Sequence, residues 1–319
     1  YQPGSGCPYA ALDAGFPADK IVFAGVGKAD WEINLGLDND IFCFNVESAV
    51  ELEIINELAA AKHKVASIAL RINPEVDAHT HAKITTGMKE NKFGINLSQL
   101  GGVLDKLKEM KNVKLIGIHS HIGSQITDMS SFRNLVIRFN EIQEELEAHG
   151  VTVENLNFGG GLGIDYYHPN HLSIPAFDNY FAAIHKLLQV RPGQQVHFEP
   201  GRSIVAQCGT LISKVLYVKE GETKKFAILD AGFTELIRPA MYDAYHRIEN
   251  ISSDEAVETY DVVGPICESS DVFGKDVELN KAHRGDLIAL RSAGAYGEVM
   301  ASQYNCRHLP KAYYSDTIK

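Results

Sequence analysis

The sequence predicts a barrel of alternating parallel strands and helices, followed by an all-β domain. Six short apolar runs alternate with helical patterns up to residue 200, and runs that are apolar on both faces are typical of parallel strands covered by helices. After Arg202 the sequence changes to short runs rich in Val, Leu and Tyr, without long helical periods, which favours an all-β domain. We expect the two domains to be 1–205 and 206–319.

The strands of the first domain are predicted wherever an apolar run ends in polar or glycine residues. They are Ile21–Gly25, Ile41–Val46, Val65–Ile72, Val113–His121, Val153–Phe158 and Gln195–Glu199. The helical patterns between them include Ser48–Lys62, Leu97–Met110, Ser130–Gly150 and Ala176–Val190. Six strands are two short of a (β/α)₈ barrel, so the sheet is either open and doubly wound or a barrel that lacks its first two strands. The turn-rich Tyr1–Ala10 leads us to expect missing sequence, before Tyr1 or between joined fragments.

The second domain is predicted from four short apolar runs. They are Cys208–Val218, Phe226–Asp230, Thr259–Val263 and Asp286–Leu290. Between the second and third of them, Glu249–Glu258 is polar and is predicted to be a loop.

Charge and cysteine content limit the classes of partner. The 30 basic and 41 acidic side chains give a net charge of −11, which argues against a surface for nucleic acid or anionic membrane. The five cysteines are widely spaced, which favours a reducing cytoplasm. No apolar run approaches the roughly 18 residues of a membrane span.

Polar and glycine residues gather where the predicted strands end, the place where parallel barrels carry their chemistry. The ends supply His119–Ser124, Gly159–Gly163 and Glu199–Arg202. Glycines let backbone N–H groups approach an anion closely, and phosphate commonly binds at the late strands of such barrels. A glycine run alone also fits a tight turn, but the Glu and Arg that follow favour an anion site.

A metal site is the alternative interpretation of these strand ends. His119 and His121 alternate along one strand, as in some metal hydrolases, yet a metal site needs further His and Asp at other strand ends. The other ends supply Gly, Glu and Arg instead. We therefore expect no metal, and we interpret His119 as a core residue bonded to a backbone carbonyl.

Three short segments of the β domain combine reactive or charged side chains. Arg238 and Tyr242 are four residues apart, Cys267 stands beside Glu268, and Tyr296 is flanked by small residues. Each alone fits a structural role such as a surface ion pair or a core position. Together with a phosphate-type barrel mouth they favour an active site.

The motifs, in this order, resemble the diaminopimelate decarboxylase family of fold-type III enzymes, which depend on pyridoxal 5'-phosphate. The matching segments are Asn45–Ser48, Arg71–Pro74, Lys92–Gly94, His119–Gln125, Gly159–Gly163, Glu199–Arg202, Ile237–Pro239, Gly264–Asp271 and Gly294–Gly297. The resemblance implies a cofactor-binding barrel, a C-terminal β barrel or sandwich, and a cytoplasmic homodimer with composite active sites. It also implies decarboxylation of meso-2,6-diaminopimelate to L-lysine and CO₂, the last step of lysine biosynthesis.

The resemblance also implies which residues hold the cofactor. Glu199 would pair with the nitrogen of its ring, and His121 would stack on the face of the ring. The phosphate contacts would come from several groups around the barrel mouth: Ser124, the amides of Gly160, Gly161 and the Gly201–Arg202 segment, and the hydroxyl of Tyr296.

Substrate contacts are implied in the same way. Arg202, Arg238 and Tyr242 would bind the carboxylate that is not lost, and Glu268 would bind the distal ammonium group, with Tyr296 close by. Cys267 would return a proton to the carbon that loses CO₂. The Cys267 loop would come from the second subunit.

Two alternatives stay open. The family's Schiff-base lysine lies on an early strand that Tyr1–Ala10 does not resemble, and Lys28 matches a different loop, so a binding homologue without catalysis is one alternative. The other is a decarboxylase for ornithine, arginine or carboxynorspermidine. Arg238 and Glu268 argue against it, because those substrates have no second carboxylate for an Arg to bind.

Overall fold

The computed structural model describes residues 8–76, 92–171, 175 and 177–317. Most of the turn-rich start, residues 1–7, lies outside the described residues. By its internal contacts the chain divides into two units, one formed by Tyr1–Leu162 with Asp178–Pro200 and the other by Gly163–Phe177 with Gly201–Lys319. The domain boundary after residue 205 stays a prediction.

The first unit contains a parallel sheet. Its strands are β1 (Val22–Phe23), β2 (Cys43–Val46), β3 (Ala66–Asn73), β4 (Ile95–Asn96), β5 (Val113–His119), β6 (Asn155–Asn157) and β7 (Gln195–His197). They pair in the order β1-β2-β3-β5-β6-β7, with the short β4 added beside β3. A doubly wound sheet reverses its strand order part-way, whereas this order runs in one direction. The barrel prediction is therefore confirmed against the open-sheet alternative.

The first helix of this unit precedes the strands and contacts the second helix, and the other helices alternate with the strands. The helices are α1 (Pro8–Asp13), α2 (Asp30–Asp38), α3 (Ala49–Ala61), α4 (Leu97–Glu109), α5 (Met129–Ala148) and α6 (Phe177–His185). At the start of α3, Ser48 accepts from the Glu51 N–H, and at the start of α5, Asp128 accepts from the Ser130 N–H, which satisfies donors that a helix start leaves open. In α5, Phe139 is fully buried and stacks on Phe158, with 4.1 Å between ring centroids.

The second unit is built on a six-stranded sheet. Its strands are β8 (Leu211–Glu220), β9 (Lys225–Leu229), β10 (Ile248–Asn250), β11 (Val257–Val263), β12 (Val272–Asn280) and β13 (Leu287–Leu290), and its helices are α7 (Arg202–Val205) and α8 (Arg238–Tyr242). The pairing order is β10-β13-β8-β9-β11-β12, and the two end strands contact each other. The sheet is therefore barrel-like, as predicted.

One loop prediction in this unit is wrong at both of its ends. Glu249 and Asn250 belong to β10, paired with β13, and Val257 and Glu258 begin β11. The polar side chains there misled the prediction, because a strand with one face towards water can carry polar residues on that face. No helix among the described residues is long and apolar enough to cross a membrane.

Candidate active site

The Glu199 carboxylate stands just beyond the end of β7 and is fixed by neighbouring strands. Asn157 at the end of β6 donates its side-chain N–H to Glu199 Oε1 at 2.9 Å, and the Glu199 N–H donates to the Gly159 carbonyl at 2.8 Å. Burial on its own would raise the pKa of this carboxyl, but His119 and Asn157 bring the pKa down to about 2. Glu199 is thus a fixed negative charge whose side chain is still 37% exposed.

His121, two residues beyond the end of β5, is held as a neutral ring. Its Nδ1 accepts the Gly160 N–H at 3.1 Å, so Nε2 carries the proton when the ring is neutral. Burial, reinforced by the charges of His119 and Arg71, lowers the pKa of His121 to about 4. The same contact uses the Gly160 N–H that was predicted to bind phosphate, so that role of Gly160 stays a prediction.

The glycines after β6 let three strand ends come together. A Cβ at Gly160 would stand 2.2 Å from the Glu199 carbonyl oxygen, and one at Gly161 would stand 2.6 Å from the Gly123 carbonyl oxygen. Gly161 also has φ +102°, which side chains rarely adopt. Ser124 follows Gly123 at this edge and is partly buried.

His119 lies in the core, as predicted, but the prediction that its ring bonds to a backbone carbonyl is wrong. The side chain is buried, at 1% exposure, but among the described residues neither ring nitrogen has a hydrogen-bond partner. Its nearest charged neighbour is Glu199, with Nε2 3.4 Å from Oε2, which is ion-pair range without hydrogen-bond geometry. The β5 and β7 ends are neighbours of β6, and this places the ring beside a carboxylate instead of a carbonyl.

Lys28 is a satisfied structural charge. Its Nζ donates to the carbonyls of Gly25 and Asn45 at 2.7 and 2.6 Å and to Glu51 Oε1 at 2.5 Å. These three acceptors match the three donors of an ammonium group, and the side chain has no exposed surface. It is therefore unsuited to covalent chemistry.

The second unit brings Arg202 and two tyrosines together. Arg202, the first residue of α7, donates to the Tyr166 hydroxyl at 2.7 Å, and its guanidinium lies 4.9 Å from the centroid of the Tyr296 ring. Arg202 is 6% exposed and Tyr296 is 41% exposed. Tyr296 has φ +61°, a conformation that is costly for an aromatic residue and frequent at functional sites.

Arg238 in α8 belongs to the same cluster. It donates to His246 Nε2 at 2.8 Å and lies 5.0 Å from the Tyr166 ring centroid. His246 in turn donates from Nδ1 to the Arg291 carbonyl at 2.9 Å, which fixes its neutral tautomer. The Arg238 side chain is 5% exposed, and no carboxylate of the described residues lies within ion-pair distance of it.

The remaining predicted residues of this unit are more exposed. Tyr242 ends α8 and is partly buried. Cys267 and Glu268 are exposed on the loop between β11 and β12, where Glu268 Oε1 accepts the Tyr304 hydroxyl at 2.8 Å. Cys43, Cys208 and Cys306 are also free thiols. In the part of the chain that the structure describes, no group of three or more His, Cys, Asp or Glu side chains is arranged to hold a metal.

Comparison with known proteins agrees with these features. Residues 9–206 match the family model "Pyridoxal-dependent decarboxylase, pyridoxal binding domain". A diaminopimelate decarboxylase of Bacteroides thetaiotaomicron is 68% identical over 97% of this chain and 80% of its own length. The chain belongs to the diaminopimelate decarboxylase family.

Solved structures of the family have the same fold. The diaminopimelate decarboxylase of Helicobacter pylori, complexed with L-lysine, is 41% identical, with a TM-score of 0.86 over 93% of this chain and 74% of that one. The enzyme from Methanocaldococcus jannaschii is 41% identical, with a TM-score of 0.85 over 94% of this chain and 70% of that one.

The residues at the barrel edge fit pyridoxal phosphate, as membership of the diaminopimelate decarboxylase family implies. An ionised Glu199 can keep a ring nitrogen protonated, and a neutral His121 can lie against an aromatic ring without repelling that proton. The glycines next to them bring neighbouring strand ends close together, and backbone N–H groups in a glycine run can approach a phosphate closely.

Sequence reasoning missed three residues that position the predicted ones: Asn157, Tyr166 and His246. Asn157 has a recognisable signal, since it is a polar residue at the end of a strand just before the glycine run. Tyr166 and His246 have none, because the Arg that each contacts is 36 and 8 residues away, and no single helix or strand contains both partners.

Proposed function

We propose that this protein decarboxylates meso-2,6-diaminopimelate to L-lysine and CO₂ with pyridoxal phosphate, as the last step of lysine biosynthesis. The observation that carries the proposal is Arg238, a guanidinium 5% exposed that donates to a neutral imidazole and pairs with no carboxylate of the described residues. A buried charge is costly unless it is paired. A substrate with a second carboxylate supplies the missing partner.

The barrel residues would hold the cofactor. When bound, pyridoxal phosphate supplies an electron sink for the electron pair left behind as CO₂ departs. Glu199 would accept a hydrogen bond from the ring N–H and keep the proton on that nitrogen, while His121 stacks on the ring. The phosphate contacts would come from Ser124, from the backbone amides of Gly160, Gly161, Gly201 and Arg202, and from the Tyr296 hydroxyl.

The arginines would hold the substrate. Arg202, Arg238 and Tyr242 would bind the carboxylate that stays, since a guanidinium matches a carboxylate with two parallel hydrogen bonds. Glu268 would bind the distal ammonium group, and Tyr296 would line the same place. These contacts orient the substrate so that only one of its two carboxylates is lost.

Cys267 would donate the proton from Sγ to the carbon that loses CO₂, because a thiol remains largely protonated near neutral pH. Its exposure in the single chain supports a site completed by a second subunit. We therefore propose a homodimer with composite active sites. We also propose a cytoplasmic compartment, on the evidence of the widely spaced cysteines.

A substrate panel tests the proposal against decarboxylation of another basic amino acid. We expect the full-length holoenzyme to prefer meso-diaminopimelate over ornithine, arginine and carboxynorspermidine by about 10³-fold or more in kcat/KM, because substrates without the second carboxylate leave the buried Arg238 guanidinium without a carboxylate partner. Arg238→Lys should reduce that ratio by lowering diaminopimelate turnover alone. Equal turnover of ornithine or arginine would exclude the proposal, and CO₂ release from none of them would favour the non-catalytic homologue.

A further inference from the structure

The loop that carries Cys267 and Glu268 is closed on itself by Asp271. The Asp271 N–H donates to the Glu268 carbonyl at 3.1 Å, and the Glu268 N–H donates to the Ile266 carbonyl at 2.8 Å. The Asp271 side chain then returns to the start of the loop, where Oδ2 accepts the Ile266 N–H at 2.7 Å. A single carboxylate thus joins the two ends of the loop.

The same carboxylate fastens the loop to a second segment. Asp271 Oδ1 accepts the Phe233 N–H at 2.7 Å, so its two oxygens hold two separate stretches of backbone. Asp271 is 4% exposed. A Cβ at Gly264 would stand 2.3 Å from Oδ2, and one at Gly232 would stand 2.9 Å from it. The carboxylate therefore occupies a slot that these glycines leave open, and it has little freedom to move.

Tyr304 reaches the loop from the C-terminal part of the chain. Its ring stacks on Phe233, with 6.0 Å between centroids and 19° between planes, and its hydroxyl donates to Glu268 Oε1 at 2.8 Å. Phe233 is therefore held at its backbone by Asp271 and at its ring by Tyr304. Through these contacts, Phe233 and Tyr304 together restrict the movement of the loop.

The Cys267 thiol depends on this bracing. Within the described ranges, no hydrogen bond to its sulfur is found, and the side chain is exposed. Among the described residues, the loop backbone is therefore what positions the sulfur, and a displacement of about 1 Å at a reacting group can cost about 10²-fold in rate.

We infer that Asp271 and Tyr304 are positioning residues, which hold Cys267 and Glu268 at a preset place before substrate arrives. Asp271 acts through the loop backbone and governs the thiol, whereas Tyr304 acts on the Glu268 carboxylate. The inference rests on the proposed function, because the roles of Cys267 and Glu268 do. Its test must therefore distinguish a failure of this inference from a failure of the proposed function.

A double-mutant cycle provides that separation. Cys267→Ala should slow single-turnover product formation by about 10²-fold, and Asp271→Asn should slow it by about 10-fold or more, since its amide nitrogen would face one of the two N–H donors. The double variant should be within about twofold of Cys267→Ala, because a residue that acts through Cys267 has nothing left to affect. A further loss equal to that of Asp271→Asn alone would overturn the inference. A Cys267→Ala variant as fast as the parent would instead refute the proposed role of Cys267.

Thiol labelling gives a readout that does not depend on turnover. In folded Asp271→Asn holoenzyme, the rate of Cys267 alkylation by iodoacetamide, relative to Cys208, should rise by about threefold or more as the loop loosens. Asp261→Asn is the matched control, since Asp261 is 8% exposed in the same unit and pairs with Lys224 away from the loop. An unchanged labelling ratio in Asp271→Asn would contradict the inference, whatever the activity.

Tyr304→Phe tests the second contact if Asp271→Asn does not fold. It removes one hydroxyl from a side chain that is 49% exposed, so folding should be retained. We expect KM for diaminopimelate to rise about threefold to tenfold with kcat changed less than twofold, because Glu268 loses its fixed orientation. An unchanged KM would remove Tyr304 from the inference.

Discussion

Glu199 and Arg202 are three residues apart in sequence, yet they make different contacts. Glu199 is held by Asn157 with a lowered pKa, whereas Arg202 bonds to Tyr166. We predict that Glu199→Gln lowers kcat by about 10²-fold or more with little change in KM, because an amide cannot keep a proton on the ring nitrogen. Arg202→Lys should chiefly raise KM, because Lys lacks the planar two-donor geometry.

Steady-state kinetics of both variants checks this division of roles. If the two substitutions gave the same pattern, with kcat unchanged and only KM raised, the assignment of Glu199 to the cofactor and Arg202 to the substrate would be wrong. Asn157→Asp tests the same carboxylate indirectly. It places a second carboxylate beside Glu199 and should raise the pKa of Glu199, which Asn157 now helps to lower.

His246 predicts a loss of stability in mild acid. Burial, reinforced by Arg238 and Arg202, lowers its pKa from 6.5 to about 4. Between these two pH values, His246 is protonated in the unfolded chain but stays neutral in the folded chain. The free energy of unfolding must therefore fall as pH falls from about 6.5 to about 4. Urea unfolding at pH 7.5 and pH 4.5 measures this fall. Between these pH values, the free energy of unfolding of His246→Asn should fall by about 2 kcal/mol less than that of the parent.

His308→Asn is the control for the His246 comparison. His308 is exposed, and its replacement should leave the difference in unfolding free energy between the two pH values close to that of the parent. If His246→Asn behaved in the same way as His308→Asn, the neutral, buried state assigned to His246 would be incorrect.

The sequence suggests candidate site residues only where they lie at strand ends or in short distinctive segments. Glu199, His121 and the glycine edge were predicted because the carboxyl ends of parallel strands meet at one edge. Asp271 was visible only as an acid near Cys267, and its part in closing the loop depends on two N–H groups 5 and 38 residues away. Contacts of that kind have no local pattern from which to predict them.

The ends of β5, β6 and β7 are packed so closely that the edge tolerates no added methyl group. We predict that Gly160→Ala destabilises the protein by about 1 to 3 kcal/mol and weakens cofactor binding, since its Cβ would meet the Glu199 carbonyl oxygen at 2.2 Å. Gly102→Ala is the matched control: Gly102 lies within α4 with nothing within 4 Å of its Cβ position. That substitution should leave stability unchanged or raise it by up to about 1 kcal/mol.

Urea unfolding and a cofactor titration of both variants check the packing of the strand ends. Equal stability of Gly160→Ala and Gly102→Ala would mean that the strand ends can separate without cost. Steric crowding would then no longer account for glycine at this edge.

At the scale of elements, the sequence predicts the strands that have an apolar run and fails to predict strands that are very short or half-exposed. All six predicted strands of the barrel are present, because each has an apolar run. The two-residue β4 has too little sequence for a pattern. In β12, Lys275, Asp276 and Glu278 face water on a half-exposed strand, and β10 lies partly inside the segment predicted as a loop. Pairing with neighbouring strands decides these elements, and it cannot be read from the segments themselves.

At the scale of the whole molecule, the proposed composite site predicts complementation between inactive variants. Glu199→Gln removes a barrel residue and Cys267→Ala removes the proton donor, so a dimer that contains one chain of each should keep one intact site. Random mixing should restore about a quarter of parental activity per active site. Co-expression of the two variants, followed by a CO₂-release assay, measures this. Activity no greater than the average of the two variants alone would show that each chain completes its own site.

The strand order β1-β2-β3-β5-β6-β7 also bears on how the sheet can be assembled during synthesis. Each strand of that path pairs with the strand that precedes it in the path, so no pairing has to wait for a strand that is made later. The ribosome delivers the strands in the same order. The described sheet can therefore grow at one edge as the chain emerges, and the edge that carries Gly159–Gly161 and Glu199 is the last to be completed.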